Sequence, residues 1–154
     1  MRGISHVAIG VADMERSLHF YRDLLGLNVT LDKEEPVRGS ERLFADPEQQ
    51  HRRAVYLRWA DGPEAGFVVL SQKPGVPSGS PIRIDQVGIH HFSFWVTDLE
   101  RRVERLKAAG VKILVGPYKS DSIAYGEAPG KNVLTCLFED PDGIILQVDQ
   151  RVAG

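Results

Sequence analysis

The sequence predicts an α+β protein made of two βαβββ modules, and three observations carry that prediction. First, ISHVAIGVADMERSLHFYRDLLG near the N-terminus and GIHHFSFWVTDLERRVERLKAAG at Gly88–Gly110 share one grammar, in which His6 and His91 each open an alternating run and an Asp, Asp13 or Asp98, follows its His by seven positions. Second, each copy passes from strand-like alternation to helical spacing and stops on a glycine. Third, the segment after each helix contains three further strand-like runs.

Taken in order, the first module opens with a strand up to Val11. Asp13 is a suitable N-cap for the helix that follows, and Met14, Leu18, Tyr21 and Leu25 form its apolar stripe. Gly26 stands where a left-handed C-terminal residue belongs. Leu27–Leu31 reads as a second strand. Asp32–Arg53 is charged and broken by Pro36, Gly39 and Pro47, which predicts a long loop that is either disordered or a lid, Leu43 and Phe44 favouring a lid. Val55–Trp59 and Phe67–Ser71 complete the module as two strands joined by Asp61-Gly62-Pro63-Glu64.

The run KPGVPSGSP at Lys73–Pro81 has linker composition, giving an expected division into residues 1–73, a linker over 74–85 and residues 86–154, together one compact domain. The second module repeats the order: a strand to Val96, Asp98 as N-cap, a stripe of Leu99, Val103 and Leu106, Gly110 as the stop, and a strand at Val111–Val115. A loop is expected over Gly116–Asn132, containing Tyr125-Gly126-Glu127. Strands at Val133–Phe138 and Ile144–Asp149 follow, joined by the turn Asp140-Pro141-Asp142-Gly143, in which Pro presets φ, Asp caps and Gly accepts positive φ.

Composition limits the function classes. At 154 residues and 42% hydrophobic content the chain can bury a proper core. A net charge of −2 with both signs interspersed gives no basic stripe, which argues against nucleic acid or an anionic membrane as partner. The apolar runs are too short to span a bilayer, and the first strand starts too near Met1 for a signal peptide. The single cysteine, Cys136, excludes an internal disulfide framework, reads as a small core residue and fits a cytoplasmic protein.

The doubled His and Asp opening, FYRDLLGL at Phe20–Leu27 and FEDPDGIILQ at Phe138–Gln147 together resemble the vicinal oxygen chelate family, which includes glyoxalase I, bleomycin-resistance proteins, type I extradiol dioxygenases and methylmalonyl-CoA epimerase. The resemblance spans nearly the whole chain. It implies that the eight strands form a cup-shaped sheet around a small-molecule site that often holds a divalent metal. His6 and His91 match the family's first-strand ligands. Four residues past Gly143, where the family usually has Glu, this chain has Gln147; at the matching place in the first module it has Val69, or Leu70 if the alignment slips by one.

The implied ligand set is therefore His6, His91 and Gln147, a facial triad with its acid replaced by an amide, for Fe, Mn, Ni or Zn. An amide brings a dipole where a carboxylate brings a charge, so affinity should fall. Asp149 shares the strand face of Gln147 but lies about 6.6 Å along it. Each His taken alone also suits a hydrogen-bonding or packing residue. His90 is expected on the opposite face from His91. The resemblance also makes Tyr125 and Glu127 candidates for acid, base or substrate contact, although Tyr-Gly-Glu is also ordinary loop chemistry.

Two function classes stay open. One is a metal-dependent lyase, epimerase or extradiol-type dioxygenase acting on a small substrate with vicinal oxygens. The other is a metal-free protein that sequesters a small molecule in the cup or in the groove of a homodimer.

Overall fold

The computed structural model describes residues 3–46, 48–75 and 79–153; Pro47 of the expected loop and residues 76–78 of the expected linker lie outside the described residues. The chain divides into two compact units, Met1–Gly79 and Ser80–Gly154.

In the first unit, β1 (His6–Gly10) leads into α1 (Met14–Leu18), which continues as a π-helical stretch over His19–Leu24; β2 (Asn28–Pro36), α2 (Ser40–Leu43), β3 (His51–Arg58) and β4 (Phe67–Gln72) follow. The strands form one four-stranded sheet in the order β1-β4-β3-β2, with β1 parallel to β4 and the other pairs antiparallel. The second unit repeats this plan with β5 (His91–Trp95), α3 (Leu99–Ala108), β6 (Ile113–Asp121), a 3-10 turn at Ile123–Tyr125, β7 (Asn132–Glu139) and β8 (Ile145–Val152), in the order β5-β8-β7-β6. The fold is α+β with two βαβββ modules, as the repeat predicted.

Alternation decides which face of each sheet is core. Val55, Leu57, Val68 and Leu70 of the first unit are buried, as are Met14, Leu18 and Tyr21 of its helix. Cys136, Phe138, Leu146 and Val148 are buried in the second unit, as are Leu99, Val103 and Leu106 of α3, which packs on β7 and β8. Burial pushes the Cys136 thiol up to about 11, in keeping with an inert core residue. The first helix departs from simple 3.6-residue spacing. The Leu25 amide reaches back to the Phe20 carbonyl, and this wider winding buries Phe20 as well as Tyr21.

The two long loops are shorter than the sequence suggests, for the same reason in each module. β2 runs on through the charged stretch to Pro36, and β3 begins at His51, because the charges pair across the ladder: Arg53 donates to Asp32 at 2.7 Å and Arg52 to Glu35 at 2.7 Å. What remains between the strands contains α2, and Leu43 there is exposed. Likewise β6 continues to Asp121 through Gly116 and Pro117, with register shifts between Ile113 and Tyr118. β2 and β6 are both edge strands, where a proline costs no ladder bond. Gly116 is required: it has φ 90°, and a Cβ there would lie 2.5 Å from the Thr135 carbonyl oxygen.

The helix starts are also duplicated, though not in the way the sequence suggests. Asp13 caps α1, accepting from the Arg16 amide at 2.9 Å, whereas Asp98 occupies the N-cap position of α3 without a capping bond and accepts from Arg102 instead. A Gln at matching positions of β4 and β8 supplies what is common: Gln72 accepts from the Met14 amide at 3.2 Å, and Gln150 from the Leu99 amide at 2.7 Å. Asp13→Ala should therefore lower stability by about 1 kcal/mol and Gln150→Ala by a similar amount, while Asp98→Ala costs about 0.5 kcal/mol or less. Urea denaturation checks this; equal losses for the two Asp variants would contradict it.

Candidate functional site

Register settles which positions are equivalent. β1 pairs with β4 as His6↔Phe67, and β5 pairs with β8 as His91↔Ile145, so Val69 is the counterpart of Gln147 and Ser71 the counterpart of Asp149. Val69 is buried and apolar, so the first unit offers no donor there. His6, at the start of β1, is exposed; its ring stacks on Phe67 with centroids 5.0 Å apart and planes at 15°, and its Nδ1 is hydrogen-bonded to Ser5 Oγ at 3.0 Å.

The second unit brings the remaining candidates to one sheet face. His91, Ser93 and Trp95 of β5 stand opposite Ile145, Gln147 and Asp149 of β8. His91 is half-buried, and desolvation, followed by the neighbouring His90, pushes its imidazole below the usual histidine value, so the ring is neutral near pH 7. His90 does not point away from His91 as alternation suggested. Their Nδ1 atoms are 2.6 Å apart and their ring centroids 4.6 Å apart. The reason is that β5 begins at His91, so His90 lies outside the pleated backbone to which alternation applies.

Asp149 is the centre of this face. Its carboxylate is 2% exposed, and four side chains donate to it: Ser93 Oγ, Tyr125 Oη at 3.0 Å, Thr135 Oγ1 at 2.7 Å, and Gln147 Nε2 at 2.9 Å to each oxygen. Burying a carboxylate is tolerated only with such a set of donors. The arrangement also orients Gln147. A carboxylate only accepts, so the amide must turn its NH2 toward Asp149 and its Oε1 away from it. Sequence reasoning missed this hub. The signal was present in parity, because Asp149 shares the face of Gln147 and lies opposite Thr135.

Tyr125 and Glu127 come from the 3-10 turn and the residues after it, and both are held. The Tyr125 hydroxyl donates to Asp149; burial above all keeps its pKa above the ordinary tyrosine value, so the phenol stays protonated. Glu127 accepts from Arg151 Nε at 2.5 Å, and that hydrogen bond holds its carboxyl below the usual range. The Arg151 guanidinium in turn lies 3.8 Å from the Trp95 ring centroid, and Trp95 contacts Tyr125 at 5.1 Å. A cavity of about 320 Å³ lies here, lined by Trp95, Val96, Thr97, Gln150 and Arg151.

The donor chemistry fits a divalent transition metal in kind. Neutral imidazole and amide oxygen are competent ligands, and the Gln147 Oε1 is the atom left outward. The set lacks negative charge, however, because Asp149 is taken up by its donors and, among the described residues, no group of three or more His, Cys, Asp or Glu is placed to hold an ion. The fit is that of a weakly held cation.

Asp149→Ala should cost about 3 kcal/mol or more, since it leaves several buried donors without an acceptor, whereas Thr135→Val should cost about 1 kcal/mol, removing one donor from a hub that keeps three. Chemical denaturation checks the ratio; similar losses would contradict the placement of the carboxylate at the centre.

Residues 3–148 match the family model described as the Glyoxalase/Bleomycin resistance protein/Dioxygenase superfamily. The chain is 30% identical over 147 residues to the ethylmalonyl-CoA/methylmalonyl-CoA epimerase of Cereibacter sphaeroides, covering 96% of each chain. It is 28% identical over 142 residues to the lactoylglutathione lyase of Haemophilus influenzae, covering 91% of this chain and 86% of that one. Among solved structures, a glyoxalase family protein from Bacillus cereus superposes with a TM-score of 0.74 at 15% identity, over 97% of this chain and 94% of that one. The fosfomycin resistance protein FosX from Listeria monocytogenes, complexed with Mn(II) and sulfate, superposes with a TM-score of 0.60 at 14% identity, over 100% and 93%. With a family match across nearly its whole length and the doubled βαβββ topology, the chain belongs to the glyoxalase, bleomycin-resistance protein and dioxygenase superfamily.

Proposed function

We propose that the protein is an enzyme that moves a proton at a carbon beside a carbonyl group of a small oxygenated substrate, the reaction class of an epimerase. The observation that carries this reading is the likeness to the Cereibacter epimerase over 96% of each chain, in a chain whose two modules each open on an imidazole. Epimerising a malonyl-type centre removes a proton and returns it to the other face of the same carbon, so no atom is gained or lost overall.

In this reading His91 and Gln147 hold a weakly bound Fe, Mn, Ni or Zn ion, with His6 as the matching first-module position. Such an ion, when bound, supplies Lewis acidity toward the substrate's oxygens. The chain's own residues do the rest. His91 is kept neutral by burial and is thus able to offer a lone pair. Asp149 fixes the Gln147 amide and, through Tyr125 Oη, the turn at Ile123–Tyr125. Tyr125 is a protonated hydrogen-bond donor. Glu127 holds Arg151 over Trp95, which makes it a positioning residue in this scheme.

A second reading, a metal-free protein that binds a small molecule, is favoured by one observation: neither Val69 nor Gln147 is a carboxylate. One experiment separates the two. Protein and methylmalonyl-CoA are incubated in D2O with each of Fe(II), Mn(II), Ni(II) and Zn(II), and deuterium at the substrate carbon is read by mass spectrometry. The enzyme reading expects metal-dependent exchange that His91→Ala abolishes. Absence of exchange, together with a melting temperature that no metal shifts, would replace it with the binding reading.

Restoring charge gives a further expected outcome. Gln147→Glu should tighten metal binding at least about tenfold, because a carboxylate adds charge–charge attraction that an amide lacks. Calorimetric titration checks it with Gln147→Ala alongside, because the new carboxylate also faces Asp149; metal binding as tight in Gln147→Ala as in wild type would mean that Gln147 is no ligand.

A further inference from the structure

The sheet face of the first unit that carries His6 also carries a cation with no counter-charge among the described residues. Pairing of His6 with Phe67, and of Phe67 with Arg58, sets these three residues in one row across β1, β4 and β3 and on one face. The contacts agree: the His6 ring stacks on Phe67, and the Arg58 guanidinium carbon lies 4.6 Å from the centroid of the same ring. Arg58 is half-buried. Its Nη1 donates to the Ala65 carbonyl at 2.9 Å, and it makes no ion pair among the described residues.

Its neighbours are provided for differently. Arg52 and Lys33, on the same face, both bind Glu35, at 2.7 and 2.8 Å. In the repeat, register makes Glu139 the counterpart of Arg58, since Glu139 pairs with Ile145 as Arg58 pairs with Phe67. Glu139 takes Arg83 at 2.7 Å and Lys112 at 3.2 Å. The same position is thus acidic and satisfied in one module, and in the other basic and without a counter-ion among the described residues.

We propose that Arg58 binds the carboxylate of a small acid on the sheet face of the first unit that carries His6, so that the ligand class is a small carboxylate-bearing acid. With Nη1 given to Ala65, the guanidinium keeps one two-donor edge, Nε with Nη2. That edge matches the two oxygens of a planar carboxylate. A phosphate dianion fits less well, because the other cations of this face, Arg52 and Lys33, are already claimed by Glu35. Phe67 beneath the guanidinium sets its plane and lowers its hydration, which strengthens a charge-assisted bond. The inference rests on the reading above only in that the protein takes a small oxygenated molecule, and it names the acid class that this face of the first unit would bind.

The test uses malonate as probe, with neutral malonamide and inorganic phosphate as comparisons, on chelator-treated full-length protein. Binding is followed by calorimetry and by the ring resonances of His6 and Phe67. Malonate should bind wild type, weaken as salt is added and shift both rings; Arg58→Gln should lose at least about tenfold in affinity, and Arg58→Lys should retain part of it. Malonamide should not bind. Equal malonate affinity in Arg58→Gln, ring resonances in wild type that malonate leaves unmoved, or tighter binding of phosphate would each overturn the proposal. The ring shifts in wild type keep it falsifiable even if the Gln variant fails to fold. Malonate binding that depends on Arg58 without any deuterium exchange would sink the proposed reaction and leave this inference standing. Deuterium exchange in a protein whose malonate affinity Arg58→Gln leaves unchanged would do the reverse.

Discussion

The second unit depends on one buried carboxylate. Asp149 sits at 2% exposure on β8, and desolvating that charge would be prohibitive without the donors that surround it. Those donors come from four places in the chain: Ser93 on β5, Tyr125 in the 3-10 turn, Thr135 on β7 and Gln147 on β8. Satisfying one ion therefore ties three strands and a turn together and fixes the direction of an amide. That face is held in one arrangement because the cost of leaving the carboxylate unsatisfied is high.

The two modules share topology and helix-start chemistry, and differ in the charge of their sheet faces. At equivalent positions the first has Ser71 where the second has Asp149, Val69 where the second has Gln147, and Arg58 where the second has Glu139. The duplicated scaffold thereby has one face with an exposed imidazole and a guanidinium that makes no ion pair among the described residues, and another with a neutral imidazole beside a saturated carboxylate. Backbone pairing is matched between the units by the hydrophobic alternation of the helix-facing side, and the side chains differ on the opposite face.

Much of the fold was legible because its signals are local. The seven-residue interval from His to Asp, the helical stripes and the glycine stops at Gly26 and Gly110, both at positive φ, are each determined within a few residues. The edge strands were not. Asp32–Glu35 read as loop because charge is a loop signal, and only the partner strand, with Arg52 and Arg53, makes those charges strand residues. Gly116 and Pro117 read as breakers because it takes an edge position to tolerate them. The site divides in the same way. The position of His91 followed from repeat spacing and that of Gln147 from the family resemblance past Gly143, whereas the His90 contact, the donors of Asp149 and the lack of an ion pair at Arg58 among the described residues depend on where strands begin and on register across strands, which one sequence does not display.

The orientation of the Gln147 amide is the most direct test of this account. Its side-chain NH2 resonances, assigned by their loss in Gln147→Glu, should be shifted downfield and protected from solvent exchange in wild type, and should move to ordinary positions in Asp149→Asn. A Gln147 NH2 that exchanges rapidly at ordinary shifts in the wild type would mean that Asp149 does not hold it, and the outward carbonyl on which the metal reading rests would be lost.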